Sequence, residues 1–259
     1  MSRALSLALC SMLAMSCVAA HAGDSDDAGL PPITPYRPSV SSPAQLPAPG
    51  QLELELGGQR KSDAQSLRNS VPWLLKLAFS EEWGVLIGGD AYVWQHGDIG
   101  QSRGVGDTIL TLKRAWIIDK ATAFGMELDA KVPTANDVIG SGKADYTVNT
   151  IYSQDLGPVH MDANLNATQL GLVDAGASHT QLGASTSFST SLSGPWGLTG
   201  EVSGTHQGGA DSGVQVLGAL SFSPNPRLTF DVGVARAFRP RPIATSLFTG
   251  VVMPLGKLW

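Results

Sequence analysis

The stretch FGMELDAKV, Phe124–Val132, alternates without a break. Phe124, Met126, Leu128, Ala130 and Val132 fall on one face, and Gly125, Glu127, Asp129 and Lys131 fall on the other. A period of two is the signature of a strand, because successive side chains point to opposite sides. One face is wholly apolar and the other carries three charges. Val159–Thr168 repeats the pattern, with Val159, Met161, Ala163, Leu165 and Ala167 set against His160, Asp162, Asn164, Asn166 and Thr168. Leu52, Leu54 and Leu56 alternate with Glu53 and Glu55, and Val71, Trp73, Leu75 and Leu77 oppose Lys76. Val85, Ile87, Ala91 and Val93 are assigned one face of a third strand, with Asp90, Tyr92 and Trp94 on the other and a Gly-rich loop over Gln95–Gly104.

About a dozen such strands follow one another, and no helical period comes between them to cover a core. The connections alternate in length. Those near 80–83, 119–120, 156–158, 194–195 and 224–226 are tight, and those near 59–70, 95–104, 135–143, 171–178, 207–213 and 239–243 are longer. Tight turns on one rim and long loops on the other are the pattern of bacterial outer-membrane barrels. An even count puts both chain ends on the tight-turn, periplasmic side. Aromatic residues collect near strand ends: Trp73, Trp83, Trp94, Trp116, Trp196, Phe222, Phe238 and Trp259. Amphipathic rings favour the two water–lipid boundaries. The expected fold is all-β: a closed antiparallel transmembrane β-barrel of about 12 strands over residues 50–259.

A soluble sandwich would need the Leu, Val and Phe rows to meet in an interior. Alternation alone permits it; the export signal, the two rims and the aromatic chain end favour the barrel. Arg114 shares the parity of Leu110 and Leu112. At mid-depth on a lipid face an Arg costs about 2–4 kcal/mol, so Arg114 is expected at the periplasmic interface beside Trp116.

Residues 1–22 read as a secretory signal peptide: Arg3, the apolar run Ala4–Ala20, and the small-x-small site Ala20-His21-Ala22, with cleavage before Gly23. Lipidation at Cys17 is the alternative, but Ala14-Met15-Ser16-Cys17 lacks the usual Leu. Both cysteines, Cys10 and Cys17, lie in this leader, so the mature chain has no thiol chemistry. Beyond it no apolar run of about 18 residues remains to form a spanning helix. Residues 23–49 begin acidic and then carry Pro31, Pro32, Pro35, Pro38, Pro43, Pro47 and Pro49. Lacking amide donors, they read as an extended, partly disordered periplasmic linker rather than a proline-rich recognition ligand.

The chain has 259 residues, 15% of them charged, a net charge of −5 and 30 glycines. With no basic block, nucleic acid is excluded as a partner class. Expected partners are outer-membrane lipid, a small-molecule solute, and the barrel-assembly machinery through the C-terminal strand ending at Trp259. The expected pore lining is Lys76, Asp90, Lys113, Glu127, Asp129, Lys131, His160, Asp162, Asn164, Glu201 and Asp231, with Glu53, Glu55 and Asp145 of the same parity. Such walls either order water and favour cations or pair and seal the lumen. Gly104-Val105-Gly106-Asp107 lacks the third glycine and the helix of a nucleotide loop and reads as a loop-to-strand bend. His160, Asp162, Asn164 and Asn166 stand about 6.6 Å apart along one face, too stretched to chelate a metal without a second strand. No catalytic set is expected, though Ser residues with His160, His179 or His206 leave a lipid-hydrolysing barrel open as a competing reading. No cofactor or metal is called for.

These residues resemble the outer-membrane barrel family labelled "MetA-pathway of phenol degradation". The resemblance rests on Pro47-Ala48-Pro49-Gly50 before a Glu-rich first strand, Gly104-Val105-Gly106-Asp107 leading to Lys113, Gly125–Val132 with Pro133-Thr134, and Pro254-Leu255-Gly256. It implies a barrel passing small, often aromatic or hydrophobic, compounds across the outer membrane, and it brings no catalytic residues. The chain departs from the usual barrel end in having Trp259 rather than Phe, and Lys257 interrupts the alternation there. The expected function is a passive outer-membrane channel, with a lipid-acting enzyme or a structural barrel with an occluded lumen as the alternatives.

Overall fold

The computed structural model describes residues 31–97, 100–136 and 138–259. The expected signal peptide, 1–22, and the acidic start of the expected linker lie outside the described residues. From Pro31 to Trp259 the chain forms one compact unit. Thirteen strands follow in order: β1 (Gln51–Ser62), β2 (Leu67–Ala78), β3 (Trp83–Gly97), β4 (Gly100–Gly104), β5 (Thr108–Ile117), β6 (Thr122–Val132) and β7 (Asp145–Leu156). Then come β8 (Val159–Gln169), β9 (Thr180–Ser191), β10 (Trp196–Gln207), β11 (Gly213–Asn225), β12 (Leu228–Arg239) and β13 (Ala244–Lys257). There is no helix among the described residues.

All neighbouring strands are antiparallel, and the sheet closes on itself. β1 pairs with β13 from Gln51↔Lys257 to Ser62↔Thr245, and β2 pairs with both β1 and β3. β4 and β5 lie end to end along β3, on its upper and lower halves, joined by a bend at 105–107 where the Gly106 amide donates to the Asp90 carbonyl at 2.8 Å. Together they make one stave, so the barrel has twelve staves and thirteen strands. Gln95–Gly104, expected as a loop, is mostly a hairpin of β3 and β4.

An eleven-residue stave such as β6, rising about 3.3 Å per residue and tilted about 40°, stands roughly 28 Å tall, enough for a hydrocarbon core. Its outer surface fits that solvent. Val85, Leu112, Leu128, Val148, Ala167 and Leu182 are paired neighbours and form one continuous outward row across six strands. Leu128 is 42% exposed and Leu165 66% exposed, while Glu127 on the opposite face of β6 is only 5% exposed. A water-soluble sandwich buries the Leu row and exposes the Glu; this barrel does the reverse.

The short-turn rim carries aromatic pairs. Phe124 packs on Tyr152 with ring centroids 5.0 Å apart, and Trp196 on Phe222 at 4.9 Å. Arg114 lies on this rim, with its guanidinium 5.1 Å from the Trp83 ring, 4.7 Å from the Trp116 ring and 3.2 Å from Glu82 Oε2 in the adjoining turn. Its charge is thereby met by a carboxylate and two ring faces at the interface rather than by hydrocarbon.

In β3 the alternation shifts. Ser70 pairs with Val93 but Pro72 with Asp90, so two residues of β3 oppose one of β2. This bulge reverses the parity above it. Val93, expected on the outer face, is fully buried, and Tyr92, expected opposite it, is 46% exposed.

Candidate functional site

Residues 31–49 do not trail from the barrel. They enter the lumen at the short-turn rim, rise to about Val40 and return to Gly50. At the base the Ile33 amide donates to the Pro226 carbonyl at 3.0 Å, and Pro49 bridges to Ala78. The expectation of a disordered linker is corrected for this stretch. Seven prolines leave it few amide donors and no ladder of its own. Buried backbone groups without a ladder need other partners, and the wall supplies them. Thr34 and Arg37 amides donate to Glu53 and Glu55 at 3.2 Å, and the Tyr36 amide to Glu55 at 2.7 Å. Val40 and Ser41 amides donate to Glu201 Oε2 at 2.8 and 2.9 Å. Ser42 exchanges two 2.9 Å bonds with the Asn164 amide group, and the Ala44 amide donates to Ser153 Oγ at 2.8 Å. The carbonyls of Thr34 and Pro43 accept from Lys76 and Lys113.

The two lysines are the centre of this arrangement. Both are fully buried. Lys76 Nζ lies 3.0 Å from Glu53 Oε2 and 2.6 Å from Glu55 Oε1, and Lys113 Nζ lies 2.9 Å from Glu127 Oε1. The Tyr36 ring sits between them, with Nζ atoms 4.4 and 4.2 Å from its centroid, and its hydroxyl donates to the Gln45 carbonyl at 2.8 Å. A ring between two ammonium groups adds cation–π attraction to each and separates their like charges. Beside Glu55 on the same wall, Arg37 forms a bidentate pair with Asp231 of β12 at 2.9 and 3.0 Å. Ser41 Oγ meets Ser185 Oγ at 2.9 Å.

The remaining wall residues divide by height. Asn149 donates to Glu127 Oε2 at 2.9 Å and to Asn164 Oδ1 at 3.1 Å. Asp162 holds Ser153 and lies 3.1 Å from His160 Nε2, whose Nδ1 lies 2.6 Å from Asp155. Toward the long-loop rim, Arg68 pairs with Asp90 at 2.9 Å, and Lys131 Nζ lies 2.6 Å from Asp145 and 3.8 Å from Asp107. Asp129 Oδ1 accepts from Thr111 Oγ1 at 2.6 Å.

Above the inserted segment the lumen opens. One cavity of about 340 Å³ is floored by Tyr36, Arg37 and Ser39–Ser42 and walled by Leu74, Leu86, Ile109, Thr111, Glu127 and Asp129. A second, of about 460 Å³, shares Pro72, Leu74, Ile109 and Thr111 with it and extends to Asp90, Asp107, Lys131 and loop residues Ile139 and Gly140. On the far wall Leu217, Ala219, Ala235 and Phe248 form a buried apolar cluster.

Sequence reasoning missed the inserted segment and the inward apolar residues Leu74, Leu86 and Ile109. Leu74 and Leu86 hide in runs that are apolar on both faces, Leu74-Leu75 and Val85-Leu86-Ile87. Of the histidines weighed for catalysis, His160 is held at both nitrogens by carboxylates. His179 Nδ1 contacts the Leu170 carbonyl, and His206 Nδ1 lies 3.1 Å from Ser212 Oγ on an exposed loop. Ser153 bonds Asp162 rather than an imidazole. No Ser–His–carboxylate series occurs among the described residues.

The sequence matches the family model described as "Putative MetA-pathway of phenol degradation" over residues 37–247. Among solved structures, an outer membrane channel from Pseudomonas putida F1 matches with a TM-score of 0.65 at 14% identity, over 82% of this chain and 98% of that one. The NanC porin matches with a TM-score of 0.57 at 9% identity, over 78% and 100%, and the KdgM porin with 0.55 at 8%, over 78% and 99%. At these identities the likeness establishes the fold alone, the closed antiparallel β-barrel of those outer-membrane proteins. No curated protein matches the sequence.

Proposed function

The chain belongs to the "MetA-pathway of phenol degradation" family, and from that premise we propose that it is an outer-membrane channel for the passive passage of small, aromatic or hydrophobic molecules. One observation carries the reading. The half of the lumen toward the long loops is a cavity with apolar side chains on its wall, while the periplasmic half is filled by a segment held through polar contacts. Among the described residues of that segment the buried apolar side chains are Tyr36, Pro43, Ala44 and Pro47, and of these Ala44 packs in a small cluster with Ala123 and Ile151. Each polar contact of this kind is worth about 1 kcal/mol net of its exchange with water, so water can replace the contacts one at a time although together they hold the segment in place. Movement of the segment would uncover mainly polar wall groups, with Ala123 and Ile151 the apolar residues left behind. Lipid supplies the surround, and the same reading includes export with cleavage after Ala22 and assembly through β13 and the Trp259 terminus just beyond it.

Purified protein in planar bilayers is expected to show discrete conductance steps, and proteoliposomes to take up a small aromatic solute faster than empty vesicles. A silent bilayer together with no uptake overturns the channel and leaves the occluded structural barrel, the reading that the filled periplasmic half favours.

A further inference from the structure

Among the described residues, Asp129 and Glu201 are the lumen acids without a cation in ion-pair range, and Glu201 is taken up by the Val40 and Ser41 amides of the inserted segment, which leaves Asp129 facing open cavity. In the cavity above the inserted segment Glu55 is held by Lys76 and Glu127 by Lys113, and higher up Asp90 is held by Arg68 and Asp107 and Asp145 by Lys131. Asp129 lines the same cavity and has one hydrogen bond, from Thr111. No Lys, Arg or His nitrogen is in ion-pair range of it among the described residues. Lys131, two residues on along the same face, is turned toward the rim, with Nζ 2.6 Å from Asp145 and 3.0 Å from Ser141 Oγ.

Next to this carboxylate the wall is apolar. Thr111 pairs with Asp129 across β5 and β6, and Ile109 is Thr111's neighbour on the same face. Ile109 thus lies diagonal to Asp129, at a Cα separation of about 7–8 Å. Although it faces inward, Ile109 is 42% exposed, so its side chain is open to whatever fills the cavity. Gly88 pairs with both Ile109 and Leu74, and the Leu74 side chain lies over it, with Cδ1 2.9 Å from where a Cβ would stand, so Leu74 and Ile109 present a continuous apolar wall to the cavity. Leu86 pairs with Thr111 and closes the lower side.

A carboxylate with no cation partner, one strand diagonal from an apolar cavity wall, matches a particular solute shape: a cationic head joined by two or three bonds to an apolar body. We propose that this cavity is a binding site for small primary ammonium compounds carrying an aryl or alkyl group, with the ammonium on Asp129 and the apolar group against Leu74 and Ile109. A carboxylate or phosphate head would meet Asp129 and the paired Glu127 as like charges. A neutral alcohol would make one ordinary hydrogen bond in place of a charge-assisted one.

The inference rests on the channel reading only for the route by which the solute arrives. It is tested by equilibrium binding in detergent micelles, so a silent bilayer leaves it standing and absence of binding leaves the channel standing. Calorimetric titration of the full mature chain would use phenethylammonium, phenethyl alcohol, phenylacetate and ethylammonium. Phenethylammonium is expected to bind about tenfold or more tightly than each of the other three. Asp129→Asn keeps an acceptor for Thr111 and is expected to remove that preference, while Ile109→Ala weakens phenethylammonium and leaves ethylammonium unchanged. Equal binding of phenethylammonium and phenylacetate or phenethyl alcohol by the unaltered protein overturns the site, and so does undiminished binding by a folded Asp129→Asn variant. Equal binding of ethylammonium and phenethylammonium overturns the role of the apolar wall. Should Asp129→Asn not fold, the comparison of the four probes on the unaltered protein decides.

Discussion

Lys76→Met is expected to destabilise the folded barrel by about 3–5 kcal/mol, the cost of removing one partner from a buried ionic set. The reason is local. Glu53 and Glu55 are 0% and 3% exposed, and Lys76 is their shared cation. Without it two carboxylates of like charge face each other under the inserted segment, and the Thr34 carbonyl loses its donor as well. The damage falls on β1 and β2, next to the seam where β1 meets β13 and the barrel closes. Urea titration followed by the mobility difference between folded and unfolded barrel on gels reads this directly. Adding Glu53→Gln and Glu55→Gln to Lys76→Met is expected to recover much of the loss, because the uncompensated charge is then gone. An unchanged urea midpoint for Lys76→Met would mean that water reaches this set and that the lumen is not filled there.

The second large effect is on conductance. Deleting residues 33–46 is expected to raise single-channel conductance several-fold while the barrel still folds. The same wall groups that hold the segment would then face water, which can solvate Glu201, Asn164, Ser153 and both lysine pairs. This is the difference from Lys76→Met, where the carboxylates stay dry. The staves do not depend on the segment for their ladders: every strand but the short β4, which pairs with β3 alone, pairs with strands on both sides. Conductance equal to that of the intact chain would show that residues 33–46 do not obstruct the path.

Much of the barrel is written in its alternation. Lipid-facing rows are legible because a charge on them is costly, and in Phe124–Val132 every charged residue falls on one parity. The rims are legible because tight turns need few residues. Two things are not. The bulge opposite Pro72 leaves no mark in composition, since Asp90-Ala91-Tyr92-Val93 reads equally well in either parity beyond it. The inserted segment is hidden for a deeper reason. Prolines signal only the absence of a ladder, and an extended chain in solvent and an extended chain in a polar lumen share that property. What separates them is the partner, and the partners are Glu53, Glu55, Lys76, Lys113, Asn164 and Glu201, scattered over more than 140 residues of sequence. Alternation gives the side of the wall on which these residues stand but not what they hold.

Ser41 and Ser185 offer the sharpest test, because their hydroxyl oxygens are 2.9 Å apart and one belongs to the inserted segment and the other to β9. Ser41→Cys with Ser185→Cys places two thiols in a chain whose other cysteines, Cys10 and Cys17, lie within the expected leader. Single-channel conductance of this variant is to be recorded oxidised and then after reduction in the same bilayer. A segment that governs passage predicts a closed or strongly reduced channel while the bridge is intact and recovery to the unaltered level when it is broken. Equal conductance in the two states, with the bridge verified by mass, would contradict it.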